Sequence, residues 1–326
     1  MEKRSQNSVE NKQVELKKSF FSLRTLLGFA VGAAVFYYFF RNFDIAGARE
    51  TLSGAKWHFF VIGALCFYIS IPLRGLRWRL QMQPMGIDID YRPLTHYYFL
   101  AMFANVILPA RIGDIYRAYL AKRNQKISMS MSLGVFFSER IFDLVVISAF
   151  VIFSGAYFWK AIIGTREGDY LIFSFLAVTL IIVLFIAALG GLPHLLKFMP
   201  AKPAEKLDRF HKGLFRYPTR IPIILGMTIL IWLCEAIRLY FVFLALGANA
   251  GFVLALFVSQ ASLVIMSVPL SPAGLGFVEL LMLKVLSLSG LSSELAGALT
   301  ISDRLISYWS VMAFGGLCYL FSTRIR

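Results

Sequence analysis

Seven apolar runs of membrane-span length divide this chain and constrain its fold more than any other feature. A helix needs ~20 mostly apolar residues to cross the ~30 Å hydrocarbon core of a bilayer. The runs lie at about 22–40, 57–73, 130–153, 170–192, 222–246, 251–269 and 301–321. The hydrocarbon core has no groups that could hydrogen-bond to the backbone, whereas a helix satisfies its own backbone hydrogen bonds. Runs of this length therefore predict an all-α, polytopic integral membrane protein.

The composition excludes the common alternatives. Only 16% of the residues are charged, and the mean hydropathy is +0.70. Soluble globular chains are about a quarter charged, so a soluble enzyme, a disordered chain and a coiled coil are all excluded. Lys and Arg outnumber Asp and Glu by 33 to 18, which in a membrane protein indicates orientation and contact with anionic lipid. The cysteines lie in apolar runs and the histidines lack metal-ligand spacing, so we expect no disulfide framework, metal or cofactor.

Two further apolar segments are short and interrupted by Pro or Gly. Residues 94–108 run directly into Pro109, and residues 272–288 open with Pro272 and two nearby glycines. Interrupted apolar segments of this kind are typical of broken or re-entrant helices. We therefore expect 94–124 and 251–288 to form re-entrant pairs.

The two halves of the chain show an internal repeat. Three pairs of short motifs match at an offset of 163 or 164 residues, which is half the chain length. The matching pairs are 109–113 with 272–276, 139–141 with 303–305, and 73–74 with 237–238. Because the pairs occur in the same order at nearly one offset, they indicate two related halves.

Charge counts favour a topology in which both termini face the cytoplasm. If each half makes three crossings and one re-entrant pair, the second half is inverted. The cytoplasmic segments then hold 24 Lys and Arg, against six outside. This bias predicts two inverted repeats, 22–163 and 164–326, after a basic cytoplasmic segment at 1–21. A duplicated fold with a purely structural role is the alternative.

The longest predicted loop, 193–221, contains both basic and apolar residues. It carries seven basic residues interleaved with apolar ones. A basic helix lying on an anionic leaflet and a solvated loop both fit this pattern.

Charged residues near or inside the apolar runs form the candidate site. Each costs about 2.5–3.5 kcal/mol at the centre of a membrane helix, so it must be paired or face water or substrate. Arginine suits a lipid headgroup because its planar fork binds two phosphate oxygens at once. The predicted headgroup ligands are Arg111, Asp114, Arg117, Glu139, Arg140, Asp143, Glu235, Arg238, Glu279, Asp303, Arg304 and Tyr308. The predicted gating or backbone residues are Asn105, Pro109, Gly113, Pro272, Gly274 and Gly276. The competing interpretation is that the charges only pair helices and the glycines only permit tight packing.

Several of these residues also form motifs that resemble a known family. The sequence resembles the transmembrane, flippase-like region of lysylphosphatidylglycerol synthases, which also occurs as free-standing membrane proteins in bacteria and archaea. The resemblance rests on Asn105, 108–114, Arg117, Glu139, Arg140, Asp143, 269–279, Arg304, Tyr308 and Trp309. It covers nearly the whole chain and implies a helical fold with re-entrant segments that moves a lipid between leaflets. The full synthases carry a soluble aminoacyl-transfer domain after the membrane part, whereas this chain ends at Arg326, so we expect no lysyltransferase activity.

The first functional hypothesis is a flippase or lipid transporter that moves a phosphate-bearing phospholipid or glycolipid. The sequence has no Gly-rich loop followed by Lys and Ser or Thr, so we do not expect ATP to drive the movement. Candidate proton or ion carriers are Glu139, Asp143, Glu235 and Asp303.

Two other hypotheses remain open. An integral membrane transferase would use Asp88 and Asp90 to bind a metal–nucleotide pair, although Asp-x-Asp is also common turn chemistry. A scaffold for an envelope enzyme would transport nothing. We expect membrane lipids, anionic or linked to a sugar, as partners, together with a possible homo-oligomer or envelope enzyme, but no nucleic acid. The expected location is the cytoplasmic membrane of a bacterium or archaeon, and enzymatic activity is not the favoured interpretation.

Overall fold

The computed structural model describes residue 37 and residues 53–108, 111–157, 200–267 and 271–322. Within these ranges the chain is helical, and the expected all-α class is confirmed there. The α-helices are α1 (Trp57–Met82), α2 (Tyr91–Ile107), α3 (Ile112–Gln125), α4 (Met129–Tyr157), α5 (Ala201–Phe215), α6 (Ile221–Ala245), α7 (Phe252–Ser267), α8 (Phe277–Leu288), α9 (Ser293–Arg304) and α10 (Ser310–Phe321). A π-helical turn, Leu305–Trp309, joins α9 to α10. Short 3₁₀ helices lie at Gln83–Met85, Pro218–Arg220 and Pro272–Gly274.

The described parts contain helices that can cross a bilayer. Two stretches there, Trp57–Met85 and Pro203–Ala245, have sufficient length and apolar composition, and Phe252–Met266 is a shorter apolar helix. The span predicted at 57–73 is too short, because α1 continues to Met82. Outside the described residues lie the segment 1–21, Pro109, the predicted span at 170–192 and, apart from residue 37, the predicted span at 22–40.

Helices α1 and α6 pack along one another and run antiparallel. The Lys56 amide, just before α1, donates to the Ala245 carbonyl at the end of α6 over 2.8 Å. Farther along the pair, a Cβ on Gly63 would lie only 3.2 Å from the Arg238 carbonyl oxygen. The C-terminal end of α1 therefore lies at the same end of the bundle as the start of α6.

Both predicted interruptions are breaks in the helical backbone. Arg111 precedes α3 with φ 54° and ψ 37°, and Ala273 lies in the second break with φ 45° and ψ 33°. Left-handed backbone costs a residue with a Cβ roughly 1–2 kcal/mol. Gly274 and Gly276 in the second break also have positive φ, at 70° and 86°, which glycine adopts without steric cost. Each break thus lets the chain change direction before the next helix, α3 or α8.

Helices α2 and α3 are held together across the first break. The Gly113 amide donates to the Asn105 side-chain oxygen over 2.8 Å. A Cβ on Gly113 would lie 2.1 Å from the Ala101 carbonyl oxygen, so any larger residue would push the two helices apart. Asn105 and Gly113 therefore fix the contact between these helices, and their gating role stays a prediction.

The segment predicted as either a surface helix or a solvated loop contains the helix α5 over Ala201–Phe215. Its contact with an anionic leaflet stays a prediction. This helix packs on α4, where a Cβ on Gly134 would lie 2.1 Å from the Phe210 carbonyl oxygen. Lys206 and Arg209 are exposed on α5. Its apolar residues therefore face α4, while basic residues remain available to the surroundings.

Two apolar clusters frame the charged interior. One surrounds Trp78 and joins α1, α2, α3 and α4. The other includes Phe67 and joins α1 to α6, α7, α8 and α9. Trp78 lies against Arg117, and Phe67 lies against Arg238. The charged side chains are thus surrounded by apolar packing rather than by bulk water.

A buried ionic cavity as candidate functional site

A cavity of about 130 Å³ lies inside the helix assembly. Space of this size holds on the order of ten water molecules. Five arginines line it, namely Arg74, Arg111, Arg140, Arg238 and Arg304. Three carboxylates line it as well, those of Asp114, Glu235 and Asp303. The charged part of the wall therefore carries an excess of positive side chains.

Other parts of the wall are neutral or apolar. Ser259, Ser262 and Ser307 contribute hydroxyl groups, and Met102, Leu263, Met266 and Val311 contribute apolar surface. Arginines and apolar side chains thus share one chamber. This combination suits a ligand with an anionic end and a hydrocarbon end.

Glu235 connects two arginines on different helices. Arg74 on α1 lies 3.1 Å from one oxygen of Glu235, and Arg238 lies 3.3 Å from the other. Arg238 also pairs with Asp303 on α9. All four side chains are at most 7% exposed, so this chain of pairs lies out of water. Removing one partner from such a buried pair typically costs 3–5 kcal/mol.

Asp143 on α4 is the centre of a second group. Its carboxylate accepts hydrogen bonds from Arg77 over 2.7 Å and from the Trp232 indole over 3.1 Å. Arg140 lies 3.2 Å from the other oxygen. Arg77 in addition donates to Thr228 over 2.9 Å. Asp143 therefore links α1, α4 and α6 from behind the cavity wall.

Arg117 on α3 is almost completely enclosed. It pairs with Glu139 over 2.5 Å, and the two side chains are 2% and 0% exposed. The rings of Trp78, Tyr98 and Phe136 lie 4.8–5.3 Å from its guanidinium carbon. This enclosure fixes the position of Arg117, which lies behind the cavity wall and pairs with Glu139 rather than lining the cavity.

Tyr98 on α2 connects these groups. Its hydroxyl accepts hydrogen bonds from Arg74 and Arg140, each over 3.4 Å. Its ring lies 4.8 Å from the guanidinium of Arg117. One neutral side chain thus contacts three arginines and separates their charges.

The second break has an ion pair of its own. Arg304 lies 2.7 Å from one oxygen of Glu279, and the other oxygen accepts a hydrogen bond from the Gly276 amide over 2.7 Å. Arg304 also donates to the Ala273 carbonyl over 3.3 Å and lies under the Tyr308 ring. Glu279 and Arg304 therefore tie the break to the π-helical turn.

Most predicted ligands meet at this cavity, although their role in binding stays a prediction. The wall includes Arg111, Asp114, Arg140, Glu235, Arg238, Asp303, Arg304 and Tyr308, and also Asn105. Arg117, Glu139, Asp143 and Glu279 pair with wall residues or with each other from behind. Pro272 is buried in the second break.

Four contributors were not predicted from the sequence, namely Arg74, Arg77, Tyr98 and Trp232. The predicted topology assigns Arg74 and Arg77 to a cytoplasmic segment, whereas both are buried within α1. Their spacing of three residues, the same as that of Arg140 and Asp143, was the available signal. Tyr98 and Trp232 gave none, because aromatic residues are common throughout this chain.

The comparisons with known proteins agree with this architecture. Residues 25–315 match the family described as the lysylphosphatidylglycerol synthase TM region. The chain belongs to this family. The resemblance inferred from the motifs is thereby confirmed, and this member of the lysylphosphatidylglycerol synthase TM family is a helical membrane protein.

Two relatives in this family are archaeal. One is a UPF0104 membrane protein of Methanocaldococcus jannaschii, 32% identical over 67% of this chain and 93% of that protein. Another is a UPF0104 membrane protein of Pyrococcus horikoshii, 23% identical over 84% of this chain and 91% of that protein. Glycosyltransferase AglD of Haloferax volcanii is 34% identical over 26% of this chain and 14% of that protein.

The Asp-x-Asp sequence considered for a transferase makes local contacts. Asp88 accepts hydrogen bonds from Gln83 and Arg79 over 3.0–3.2 Å. These bonds hold the pKa of Asp88 below its usual value. Asp90 precedes α2 and lies 3.9 Å from Arg92. Such contacts fit the turn interpretation of this sequence.

Proposed function

We propose that the protein moves a phosphate-bearing lipid between the two leaflets of its membrane, with the headgroup in the ionic cavity. The observation that carries the proposal is the composition of the wall, where five arginines and three carboxylates lie beside apolar side chains. The charged part suits a phosphate, and the apolar part suits the hydrocarbon next to it. Membership of the lysylphosphatidylglycerol synthase TM family supports a lipid as the ligand.

Arg111 and Arg140 are the proposed phosphate ligands. Their side chains are 32% and 18% exposed, whereas those of Arg74, Arg238 and Arg304 are 5–7% exposed. The contact of Arg111 with Asp114 is 3.8 Å long, beyond hydrogen-bond range. The positive charges of Arg111 and Arg140 also lie near enough to repel each other. A phosphate bound by both would attract each arginine and so offset this repulsion.

The two backbone breaks are the proposed moving parts. Arg111 in the first break and Ala273 in the second both line the cavity. In our proposal they belong to inverted repeats, 22–163 and 164–326, with both termini in the cytoplasm. Four arginines of the 24 counted as cytoplasmic, Arg74, Arg77, Arg111 and Arg117, lie in or behind the cavity wall. Setting these four aside leaves 20 against six, so the charge bias still supports this topology.

Reconstituted liposomes test the proposal. The lipid would be a phosphatidylglycerol labelled on one acyl chain, and a membrane-impermeant quencher would report the fraction in the outer leaflet. We expect the protein to accelerate exchange, and Arg111→Ala or Arg140→Ala to slow it about tenfold or more. Arg209→Ala is the matched control, because Arg209 pairs with Glu205 on the exposed side of α5. Exchange no faster than in protein-free liposomes, or unaffected by both cavity variants, would refute the proposal.

A further inference from the structure

The buried charged residues in the described parts of the chain form one cluster, in which arginines outnumber carboxylates. All eleven charged residues that are buried there belong to it, and Arg111 and Arg140 complete it. Its arginines are Arg74, Arg77, Arg111, Arg117, Arg140, Arg238 and Arg304. Its carboxylates are those of Asp114, Glu139, Asp143, Glu235, Glu279 and Asp303. Seven arginines against six carboxylates leave one positive charge in excess.

The predicted membrane segments outside the described parts add no carboxylate to this cluster. In the predicted spans 22–40 and 170–192, which apart from residue 37 lie outside the described parts, the only charged residue is Arg24, and neither span contains Asp or Glu. Residues 109–110 and 268–270, which complete the two breaks, contain no Asp or Glu either. These segments therefore supply no carboxylate that could cancel the excess.

An uncompensated charge in an apolar surrounding is costly, so the cavity favours an occupant that supplies the missing negative charge. Unused hydrogen-bond donors lie in the same wall. Among the described residues, the Nε atoms of Arg74 and Arg140 are buried without a partner, and so is the Ser307 hydroxyl. The arginine atoms suit phosphate oxygens, and the hydroxyl suits a neutral headgroup oxygen.

We infer that the occupant is a lipid phosphodiester with a total charge of −1 and a neutral, hydroxyl-bearing headgroup. This inference rests on the proposed function, because it treats the cavity as the lipid site. A cationic aminoacylated headgroup would add to the excess charge, and a zwitterionic one would leave it in place. Phosphatidylglycerol and a polyprenyl phosphate linked to a neutral monosaccharide share the favoured chemistry.

Equilibrium binding tests the inference without requiring transport. Purified protein in nanodiscs of phosphatidylcholine would bind chain-labelled phosphatidylglycerol, and unlabelled lipids would displace it. We expect unlabelled phosphatidylglycerol to compete about tenfold or more better than phosphatidylethanolamine and lysylphosphatidylglycerol. The monosaccharide-phosphopolyprenol should also compete better than these two, and the stronger of the two phosphodiesters identifies the lipid class. Lysylphosphatidylglycerol competing as well as phosphatidylglycerol would overturn the inference.

Two charge variants make the test specific. Arg140→Gln removes the excess charge, so the advantage of phosphatidylglycerol over lysylphosphatidylglycerol should fall several-fold. Asp114→Asn raises the excess to two, so preference should move toward phosphatidic acid at pH 8, where its phosphomonoester carries about two negative charges. Asp208→Asn, in an exposed pair with Lys212, is the control. Thermal unfolding of each variant would establish that it is folded.

Unchanged lipid preference in both folded cavity variants would overturn the inference. Its failure is distinguishable from failure of the proposed function. Selective binding without lipid exchange would refute transport alone, whereas exchange without charge preference would refute the charge balance alone.

Discussion

Arg74 and Arg238 bind opposite oxygens of one carboxylate, that of Glu235, at 3.1 and 3.3 Å. The two arginines lie 164 residues apart, at matching positions of the predicted repeat. One arginine from each half thus meets at a single acid. Because Glu235 pairs with both arginines, the contact between the halves depends on its negative charge.

The first prediction concerns this acid. Glu235→Gln keeps the shape of the side chain but leaves two buried arginines without their shared counter-charge, so we expect a loss of about 3–5 kcal/mol of stability. Thermal unfolding in detergent would measure it as a lower Tm. Glu205→Gln, which removes the exposed partner of Arg209, should change stability by less than about 1 kcal/mol. Equal effects of the two changes would contradict the structure.

A second prediction concerns the contact between α2 and α3. Gly113→Ala places a Cβ 2.1 Å from the Ala101 carbonyl oxygen, and overpacking of this kind costs about 1–3 kcal/mol. Gly226→Ala on α6 is the control, since its Cβ would meet no atom within 4 Å and alanine favours helix by up to about 1 kcal/mol. The Tm should fall for the first variant and hold or rise for the second. A Gly113→Ala protein as stable as the original would show that the helices lie farther apart.

The third prediction tests the proposed topology. Single cysteines at Asp90 and Thr219 should react with a membrane-impermeant maleimide from the cytoplasmic side, and one at Asn249 from the opposite side. All three positions are accessible in the fold, and the background would lack Cys66, Cys234 and Cys318. Labelling of intact cells and of inside-out vesicles would be compared. Reaction of Asn249→Cys from the same side as the other two would rule out the proposed arrangement.

The fourth prediction separates transport from headgroup transfer. Asp88→Asn and Asp90→Asn should leave lipid exchange unchanged, because Asp88 binds Arg79 and Gln83 and Asp90 precedes α2. The measurement is the liposome assay, run beside an assay for Mg²⁺-dependent consumption of a sugar nucleotide. Sugar-nucleotide consumption that requires both aspartates, without lipid exchange, would favour the transferase.

The helices were predictable from hydropathy where few charges interrupt them. The run at 222–246 corresponds to α6, Ile221–Ala245, within one residue at each end. The first described span was predicted to end before Arg74, whereas α1 continues to Met82. A hydropathy window penalises Arg74 and Arg77, and their partners Glu235 and Asp143 lie far along the chain. Local sequence cannot reveal that these charges are neutralised.

The candidate site was predictable in its acids and in most of its arginines. Ionised residues within apolar runs, such as Glu139 and Arg304, are costly enough to demand partners, which indicated a common interior. Which of these residues face the cavity was not predictable. Arg140, for example, lines the cavity, whereas the adjacent Glu139 does not. That difference depends on how each helix is rotated, and the helix rotations follow from long-range packing.

The π-helical turn at Leu305–Trp309 has a consequence for the last helix. A π-helical turn is equivalent to one surplus residue inserted into an α-helix. Each residue of an α-helix advances the side chains by about 100°, so the surplus residue sets the face that α10 presents. Deleting one residue here would rotate Gly315 away from Phe103, whose Cβ lies 2.6 Å from the place of a Gly315 side chain. The packing of α10 on α2 therefore depends on the one extra residue in the preceding π-helical turn, Leu305–Trp309.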